Sequence, residues 1–452
     1  VLILMKNKFN DLTGKEWLPF QKSFTHFTTF GDLYQENISF FTKASIDPIP
    51  VALFWGSSSK EILFQTLCDK QNILYNEGEC DFIYIDLTDE TLTLETLQQM
   101  NSWINMKVCQ ITEFSKRLNH RKFISVLINN IIIDQYYYPI SWEISNRLSQ
   151  HFTRKDEKII CRKKNQEPFI NLYFRKDEDS ALNTAISSSD LWDSMRELTT
   201  FSSIRSHQNW FILKPKPRKK DEILHPAKYP EDLVSLYLNT FSKKDDNVFD
   251  PMSGTGTTQV ESLKLGRNAY GVELSSIFHS IAENRCAQVS SKEHIWNIFH
   301  GDARNWEKGN FPIFDYIITS PPYWDMLNMQ GAENQALRKK KGLQTNYSND
   351  SNDLGNIDNY ASFLKDLIVL YISILGNLKD GGYFTIVVKN IKKKGKIYPF
   401  AFDLVSGLNS RLILEHVAYW CQDDLRLAPY GFGNTWVSNT FHHYCLTFRK
   451  EI

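Results

Sequence analysis

The stretch Val248-Phe249-Asp250-Pro251-Met252-Ser253-Gly254-Thr255-Gly256-Thr257-Thr258 decides the fold of this 452-residue chain. An apolar strand runs into a glycine turn, and a helix is predicted from Thr257 to about Leu265. Gly254 and Gly256 permit positive φ and leave no side chain between the backbone and a ligand. The free amides and positive dipole end of the helix suit a carboxylate or a phosphate. Because Gly256 is followed by Thr-Thr and not by Lys-Ser/Thr, a phosphate-cradling NTPase loop is excluded.

Two acids follow at informative positions. Asn268–Glu273 is predicted to be the next strand, and it ends in an acid about 20 residues after the glycines, where nucleotide-type sites hold ribose hydroxyls. His300-Gly301-Asp302-Ala303 ends a third strand, which places Asp302 to accept from an adenine amine. Either acid alone indicates a surface residue, but their agreement at successive strand ends predicts a nucleotide-type pocket.

A second loop is predicted to face the same crevice. The strand from Asp315 to Thr319 ends in Ser320-Pro321-Pro322-Tyr323-Trp324, where two prolines fix the backbone. In an open parallel sheet, ligands bind just outside the carboxyl ends of the strands. Alone, this loop indicates a rigid surface turn. Opposite the glycine loop, it predicts a group that reacts with the bound ligand.

Together these motifs resemble the amino-methyltransferases of DNA, which use S-adenosylmethionine to methylate exocyclic nitrogens of bases. The resemblance covers about residues 205 to 450. It is carried by Asp250 to Thr257 as the cofactor loop, His225-Pro-Ala-Lys228-Tyr-Pro230-Glu231 as the segment before it, Ser320 to Tyr323 as the catalytic tetrapeptide, Asp353-Leu-Gly-Asn356, and the Gly-Gly turn after Asp380.

The resemblance implies a seven-stranded, mostly parallel, Rossmann-like α/β sheet with one reversed strand inserted between its neighbours. It implies these cofactor-binding residues: His225, Lys228, Pro230, Asp250, Pro251, Met252, Ser253, Gly254, Thr255, Gly256, Thr257, Glu273, Leu274, Asp302, Ala303 and Ser320. Ser320, Pro321, Pro322 and Tyr323 are implied to be catalytic. Family members with Ser first in the tetrapeptide mostly methylate cytosine N4, whereas Asp or Asn first is the usual adenine N6 form.

Such chemistry needs no metal, because the methyl group of the cofactor is already electrophilic. An exocyclic amine is a poor nucleophile, and hydrogen bonds from it to Ser320 Oγ and the Pro321 carbonyl would stabilise its growing charge. Tyr323 and Trp324 are predicted to offer flat faces to a base that has been rotated out of duplex DNA.

Nucleic acid would have to be bound by local patches, because Lys plus Arg and Asp plus Glu both number 52. We predict that Trp324 and two basic clusters on one rim contact nucleic acid. The clusters are Arg338, Lys339, Lys340 and Lys341, and Lys393 with Lys394.

Residues 1–200 are predicted to form a separate α/β domain without a recognisable motif, a target-recognition or partner-binding region. Residues 201–220 would be a basic linker and 221–452 the methyltransferase domain, ending in an antiparallel edge hairpin from 414–420 and 442–448. The lysine-rich segment 151–166 indicates a solvated loop, with a phosphate-contacting surface as the alternative. No internal repeat is detected.

Seven scattered cysteines without a Cys-x-x-Cys pair argue against a zinc site and predict a cytoplasmic protein. The absence of an apolar run of membrane-spanning length predicts no membrane partner. The substrate alternatives left open are adenine N6 and structured RNA. A catalytically silent binding subunit and a partner restriction or defence-system subunit are left open as well.

Overall fold

The structure is a computed structural model that describes residues 7–43, 45–134, 136–163, 166–177, 208–214, 230–324, 353–393, 396–423, 427, 436 and 439–451. Its backbone forms two large mixed sheets, one within residues 24–175 and one within residues 210–450, each with helices packed on its faces. A two-stranded hairpin accompanies each large sheet.

The N-terminal unit holds a seven-stranded sheet in the order β1-β8-β9-β5-β4-β2-β3, in which β9 runs antiparallel to both neighbours. Its strands are β1 Phe24–His26, β2 Val51–Trp55, β3 Leu74–Tyr75, β4 Cys80–Asp86, β5 Leu118–Asn129, β8 Thr153–Cys161 and β9 Phe169–Arg175, with the hairpin β6 Ile131–Ile133 and β7 Tyr136–Tyr138. Its helices are α1 Gly14–Phe20, α2 Phe30–Phe41, α3 Ser58–Lys70, α4 Thr88–Thr91, α5 Leu97–Phe114 and α6 Ile140–Leu148.

The C-terminal unit holds an eight-stranded sheet in the order β10-β18-β19-β15-β14-β11-β12-β13, with β19 antiparallel to both neighbours. Its strands are β10 Trp210–Ile212, β11 Asn247–Asp250, β12 Asn268–Glu273, β13 Trp296–His300, β14 Phe314–Thr319, β15 Leu378–Val388, β18 Leu412–Cys421 and β19 His442–Lys450, with the hairpin β16 Ile391–Lys393 and β17 Lys396–Tyr398. Its helices are α7 Glu231–Phe241, α8 Thr257–Lys264, α9 Ser276–Val289, α10 Tyr360–Ile374 and α11 Phe400–Leu408.

This architecture confirms the mostly parallel, Rossmann-like α/β class and the inserted reversed strand. One detail differs from the expectation. β10 adds an eighth strand parallel to β18, so the β18–β19 hairpin does not form the edge of the sheet. A three-residue strand inside the predicted linker is too short to give a periodic signal.

The prediction of a solvated loop at residues 151–166 is wrong, because β8 is a well-buried strand. Arg154, Asp156 and Lys158 are 6%, 4% and 1% exposed. The Lys158 ammonium lies 3.5 Å from the centre of the Phe20 ring, and Asp156 pairs with Lys392 of the other unit at 2.8 Å. Charged side chains can be buried where such partners compensate the lost hydration.

The long apolar helix of the C-terminal unit belongs to its core. The span Tyr360–Asn377 is apolar enough to cross a membrane by length and composition. However, Phe363, Leu364 and Leu367 on it are fully buried against the sheet, as expected of a core helix.

The two units are interlocked. Trp436 follows β18 in the C-terminal unit, yet its ring is 1% exposed and packs among Phe20, Phe41 and Tyr173 of the N-terminal core. The two units are therefore distinguished by the topology of their sheets, whereas their hydrophobic cores share side chains.

We expect Trp436→Ala to destabilise the protein by about 3–5 kcal/mol, because it empties a large site in a packed aromatic core. Urea unfolding followed by circular dichroism would measure this loss. Leu92→Ala, at a side chain that is 75% exposed, is the matched control and should change stability little. A change as small for Trp436→Ala would show that the loop does not contribute to the N-terminal core.

Candidate active site

An open cavity of about 630 Å³ lies at the carboxyl ends of β11, β12, β13 and β14. Both loops singled out in the sequence contribute to its wall. The lining residues are Pro251, Met252, Gly254, Val272, Glu273, Leu274, Ser275, Phe278, Gly301, Asp302, Ala303, Ser320, Pro322, Asp353 and Leu354. The glycine loop and the Pro-Pro loop therefore share one cleft.

The two glycines of the first loop have different tasks. Gly254 (φ 53°) lines the cavity and donates its N–H to Glu273 Oε2 at 2.7 Å. Gly256 (φ 74°) lies under α9, where a Cβ would come within 2.8 Å of Ala282 Cβ. Gly256 thus lets helix α9 pack on the loop, and Gly254 brings backbone to the ligand side.

The side chain of Asp250 connects the glycine loop to the end of β14, the strand that leads into the Pro-Pro loop. Its carboxylate is fully buried and accepts from Thr319 Oγ1 at 2.8 Å, from Thr258 Oγ1 at 2.7 Å and from the Met252 N–H at 3.0 Å. Asp250 is not among the residues that line the cavity. Any influence it has on a bound ligand must therefore act through the positions of β11, β14 and α8.

Glu273 is one of three acids that line the cavity, with Asp302 and Asp353. Its Oε1 accepts from the Ser275 N–H at 2.8 Å, so both oxygens already hold one backbone amide. Burial raises the pKa of Glu273 to about 7, with smaller upward contributions from Asp250 and Asp353, and the two amide hydrogen bonds oppose the shift. Each oxygen can accept one more hydrogen bond from the cavity, which a carboxylate must do to bind two vicinal hydroxyls.

Asp302 lines the cavity at the end of β13, as predicted, but its carboxylate is paired with Arg304 at 2.7 Å. Six further wall residues were not named as site residues from the sequence: Val272, Ser275, Phe278, Gly301, Asp353 and Leu354. Phe278 adds an apolar face from the first turn of α9, with no distinguishing signal. Asp353 is buried in the Asp-Leu-Gly-Asn segment that carried part of the resemblance, which could have identified it.

The Pro-Pro loop presents Ser320 and Pro322 to the cavity. Burial raises the pKa of Tyr323, in the same loop, above its ordinary value. Pro321 is buried. Ser320 is thus the residue of the tetrapeptide that has a side-chain hydroxyl on the cavity wall.

The predicted stacking face of Trp324 is not available to a base. The side chain is 4% exposed, and its Nε1–H donates to the Ile357 carbonyl at 2.7 Å. The ring packs edge-on against Tyr360 and Tyr398, and the Lys393 ammonium lies 3.7 Å from its centre. Trp324 anchors the end of the Pro-Pro loop, and Lys393 contacts the ring of that anchor.

The remaining residues predicted for the site do not line the cavity or lie outside the described residues. Ser253 and Thr255 in the glycine loop and Thr257 at the start of α8 are buried, and Pro230 precedes α7. His225, Lys228, Arg338, Lys339, Lys340, Lys341 and Lys394 lie outside the described residues. Among the residues that the structure describes, no group of three or more His, Cys, Asp or Glu side chains could hold a metal ion.

Comparison with known proteins identifies relatives. Residues 91–284 match a family model described as DNA methylase, a range that begins in the N-terminal unit and ends in α9. Type II methyltransferase M2.MboI of Moraxella bovis is 27% identical over 33% of this chain and 50% of its own length. M.HinfI of Haemophilus influenzae is 33% identical over 22% and 28%, and M2.DpnII of Streptococcus pneumoniae is 27% identical over 32% and 49%. The chain thus matches at most half the length of these relatives.

Similarity to solved structures is weak. Precorrin-6y C5,15-methyltransferase from Geobacter metallireducens covers 51% of this chain and 93% of its own at 9% identity and a TM-score of 0.32. The strand order, and not this likeness, defines the fold.

Proposed function

We propose that this chain is an S-adenosylmethionine-dependent DNA amino-methyltransferase, as its match to the DNA methylase family model and to type II methyltransferases supports, and that it transfers a methyl group to an exocyclic amine of a base in duplex DNA, at cytosine N4. The observation that carries the proposal is the shared cleft of Gly254 and Ser320 at the carboxyl edge of the sheet. A cofactor bound along the first loop would lie directly beside the hydroxyl of the second.

The cavity fits the cofactor through three features of this chain. Glu273 can accept from ribose hydroxyls, Phe278 gives an apolar face for adenine, and Asp302 lies at the end of the next strand along. The Gly254 backbone leaves room for the methionine part. When bound, S-adenosylmethionine supplies a methyl group on a positively charged sulfur.

The residues of the catalytic loop act on the base. Ser320 Oγ and the Pro321 carbonyl accept hydrogen bonds from the amine and direct its lone pair toward the methyl group, stabilising the positive charge that develops on nitrogen. Serine is a weak base, so the proton leaves to water after transfer. Holding the two reacting atoms within attack distance supplies most of the rate. A base in duplex DNA must first rotate out, at a cost of a few kcal/mol.

The choice of cytosine N4 rests on serine as the first residue of the tetrapeptide. A cytoplasmic location agrees with seven cysteines that are all free in the structure. A restriction or defence-system subunit remains the proposed kind of protein partner, by analogy with type II systems.

Transfer of a labelled methyl group from S-adenosylmethionine to mixed-sequence DNA and, in a parallel reaction, to RNA, followed by nucleoside analysis, tests the proposal. Label in N4-methylcytosine is the expected result. Label in N6-methyladenine would overturn the base assignment, and label in RNA alone would overturn the DNA substrate. No transfer to any nucleic acid would make the chain a silent binding subunit.

A further inference from the structure

The two units share one topology, which contradicts the expectation of no internal repeat. The N-terminal order β3-β2-β4-β5-β9-β8-β1 corresponds strand by strand to β12-β11-β14-β15-β19-β18-β10. In each sheet a single antiparallel strand, β9 or β19, lies at the same place. The C-terminal unit differs by having α9 and β13 beyond this common set.

From the end of α5 to the end of β8, each residue has a counterpart 260 positions later in the chain. Both stretches run through a short 3-10 turn, a long strand, a hairpin, a nine-residue helix and another strand. Few residues are identical, which explains why the repeat is invisible in the sequence. The identical pairs include Leu118 and Leu378, Asn130 and Asn390, Tyr138 and Tyr398, Pro139 and Pro399, and Cys161 and Cys421.

Irregular features recur at the same places. Arg121 and Gly381, 260 positions apart, both have positive φ, 61° and 73°. The Asn130 side chain accepts from the Ser141 N–H at 3.0 Å, as Asn390 accepts from the Ala401 N–H at 3.2 Å. A generic α/β fold does not require such details, so their recurrence indicates duplication of one ancestral unit.

In the N-terminal copy, an ionic cluster lies at the strand ends that correspond to those of the cofactor site, beside an open pocket lined by Trp55 and Gly56. The Lys60 ammonium, on the helix after β2, bonds Asp86 Oδ1 at 3.2 Å, Thr88 Oγ1 at 2.7 Å and Asp89 Oδ1 at 2.9 Å. Lys60 is 8% exposed. These residues tie together the ends of β2 and β4, which correspond to the strands that carry the glycine loop and the Pro-Pro loop.

The two copies contact each other reciprocally. The β6–β7 hairpin packs on β18, and its counterpart, the β16–β17 hairpin, packs on β8. A contact in which the same two surfaces meet twice is the signature of an isologous, two-fold interface between identical subunits. Within this one chain, the interface resembles that of a homodimer.

The interface reaches the catalytic loop. Asp156 of β8 pairs with Lys392 on the hairpin at 2.8 Å, and the neighbouring Lys393 lies over Trp324, the residue after Tyr323. Tyr360, which packs against the Trp324 ring, donates its hydroxyl to the buried Asp403 at 2.6 Å. Asp156 of the N-terminal copy is thus linked to the Trp324 anchor through Lys392 and the adjacent Lys393.

We propose that the N-terminal unit is a cofactor-free copy of the catalytic unit that acts as a built-in partner subunit, with Asp156 as a positioning residue for the catalytic loop. The positioning role rests on the proposed methyl transfer, whereas the absence of a second cofactor site does not.

Calorimetric titration of the full chain with S-adenosylmethionine tests the cofactor-free state of the N-terminal copy. We expect one site per chain, and the same single site in Lys60→Ala. Two sites per chain in the unaltered protein would overturn the copy's cofactor-free state. Loss of all binding in Glu273→Ala would assign the single site to the C-terminal unit, whereas binding that survived intact would place it elsewhere and overturn the assignment.

Asp156→Asn tests the positioning role, since it removes the charge and keeps the shape. We expect kcat to fall roughly tenfold, as a slight misplacement of a catalytic loop does, with cofactor affinity unchanged. Exchanging the pair, Asp156→Lys with Lys392→Asp, should restore much of the loss. Lys379→Gln is the matched control, because its 3.2 Å pair with Asp315 joins β15 and β14 at their far ends.

The outcomes distinguish failure of the proposed methyl transfer from failure of the positioning role of Asp156. Inactivity of the unaltered chain would refute the proposed function itself. An active chain in which Asp156→Asn leaves kcat unchanged would overturn only the positioning role. A loss of activity that follows loss of folded protein, or equals that of Lys379→Gln, would also overturn it.

Discussion

Replacing Ser320 with alanine is expected to lower kcat about 100-fold while the affinity for S-adenosylmethionine stays within about twofold. Ser320 lies on the wall of the cavity, where its hydroxyl can accept from the amine as positive charge develops. Removing one positioned hydrogen-bonding group from such a site costs about 10²–10³ in rate. Single-turnover transfer of labelled methyl groups would measure the rate, and calorimetry the affinity.

Two variants make this result specific. Ser320→Asn keeps an acceptor at the same position and should recover part of the lost rate. Ser280→Ala removes an exposed hydroxyl on the outer face of α9 and should leave the rate unchanged. If Ser320→Ala turned over as fast as the unaltered protein, Ser320 would have no place in the mechanism.

The fold of the C-terminal unit and the convergence of its two loops could be predicted because their causes are local. A strand, a glycine turn and a helix leave their signature within about a dozen residues. Parallel strands then bring distant turns to one edge of the sheet. These local signatures and the rule for parallel strands were sufficient to predict that Gly254 and Ser320 lie in one cleft.

What failed depended on contacts between distant parts of the chain. The charges of β8 indicated a solvated loop because Lys392, the partner of Asp156, is 236 positions away. The sequence predicted that Trp324 faces a base. The ring is instead buried by Tyr360 and Tyr398, which are distant in sequence and reach Trp324 only in the folded chain. The local sequence pattern shows neither the ionic partner of Asp156 nor the rings that bury Trp324.

The duplicated topology was missed for a related reason. An α/β sheet keeps its strand order as long as buried positions stay apolar, so most identities can change without loss of the fold. Ile131 and Ile391 are buried in equivalent hairpins, whereas the neighbouring Ile132 corresponds to Lys392. Lys392 is thus a position that differs between the copies and that joins one copy to the other, through Asp156.

Affinity for S-adenosylmethionine is expected to fall about tenfold between pH 8 and pH 6 through Glu273. Burial raises the pKa of this carboxyl to about 7, from 4.5 for an unperturbed group. Ribose hydroxyls donate to the ionised form, so binding is strongest above pH 7 and weakens as Glu273 takes up a proton. Calorimetric titration at pH 6, 7 and 8 would measure the trend.

The stability of the ligand-free protein should change in the opposite direction. A carboxyl whose pKa is higher when folded binds more protons in the folded state, so the stability that Glu273 contributes is complete below pH 4.5 and is lost as the pH rises through 7. Glu273→Gln should remove both trends, leaving an affinity near the pH 6 value at every pH. Glu307→Gln, at an exposed acid on the segment after β13, is the control and should keep both. If Glu273→Gln kept the pH dependence of binding, Glu273 would not be the titrating group.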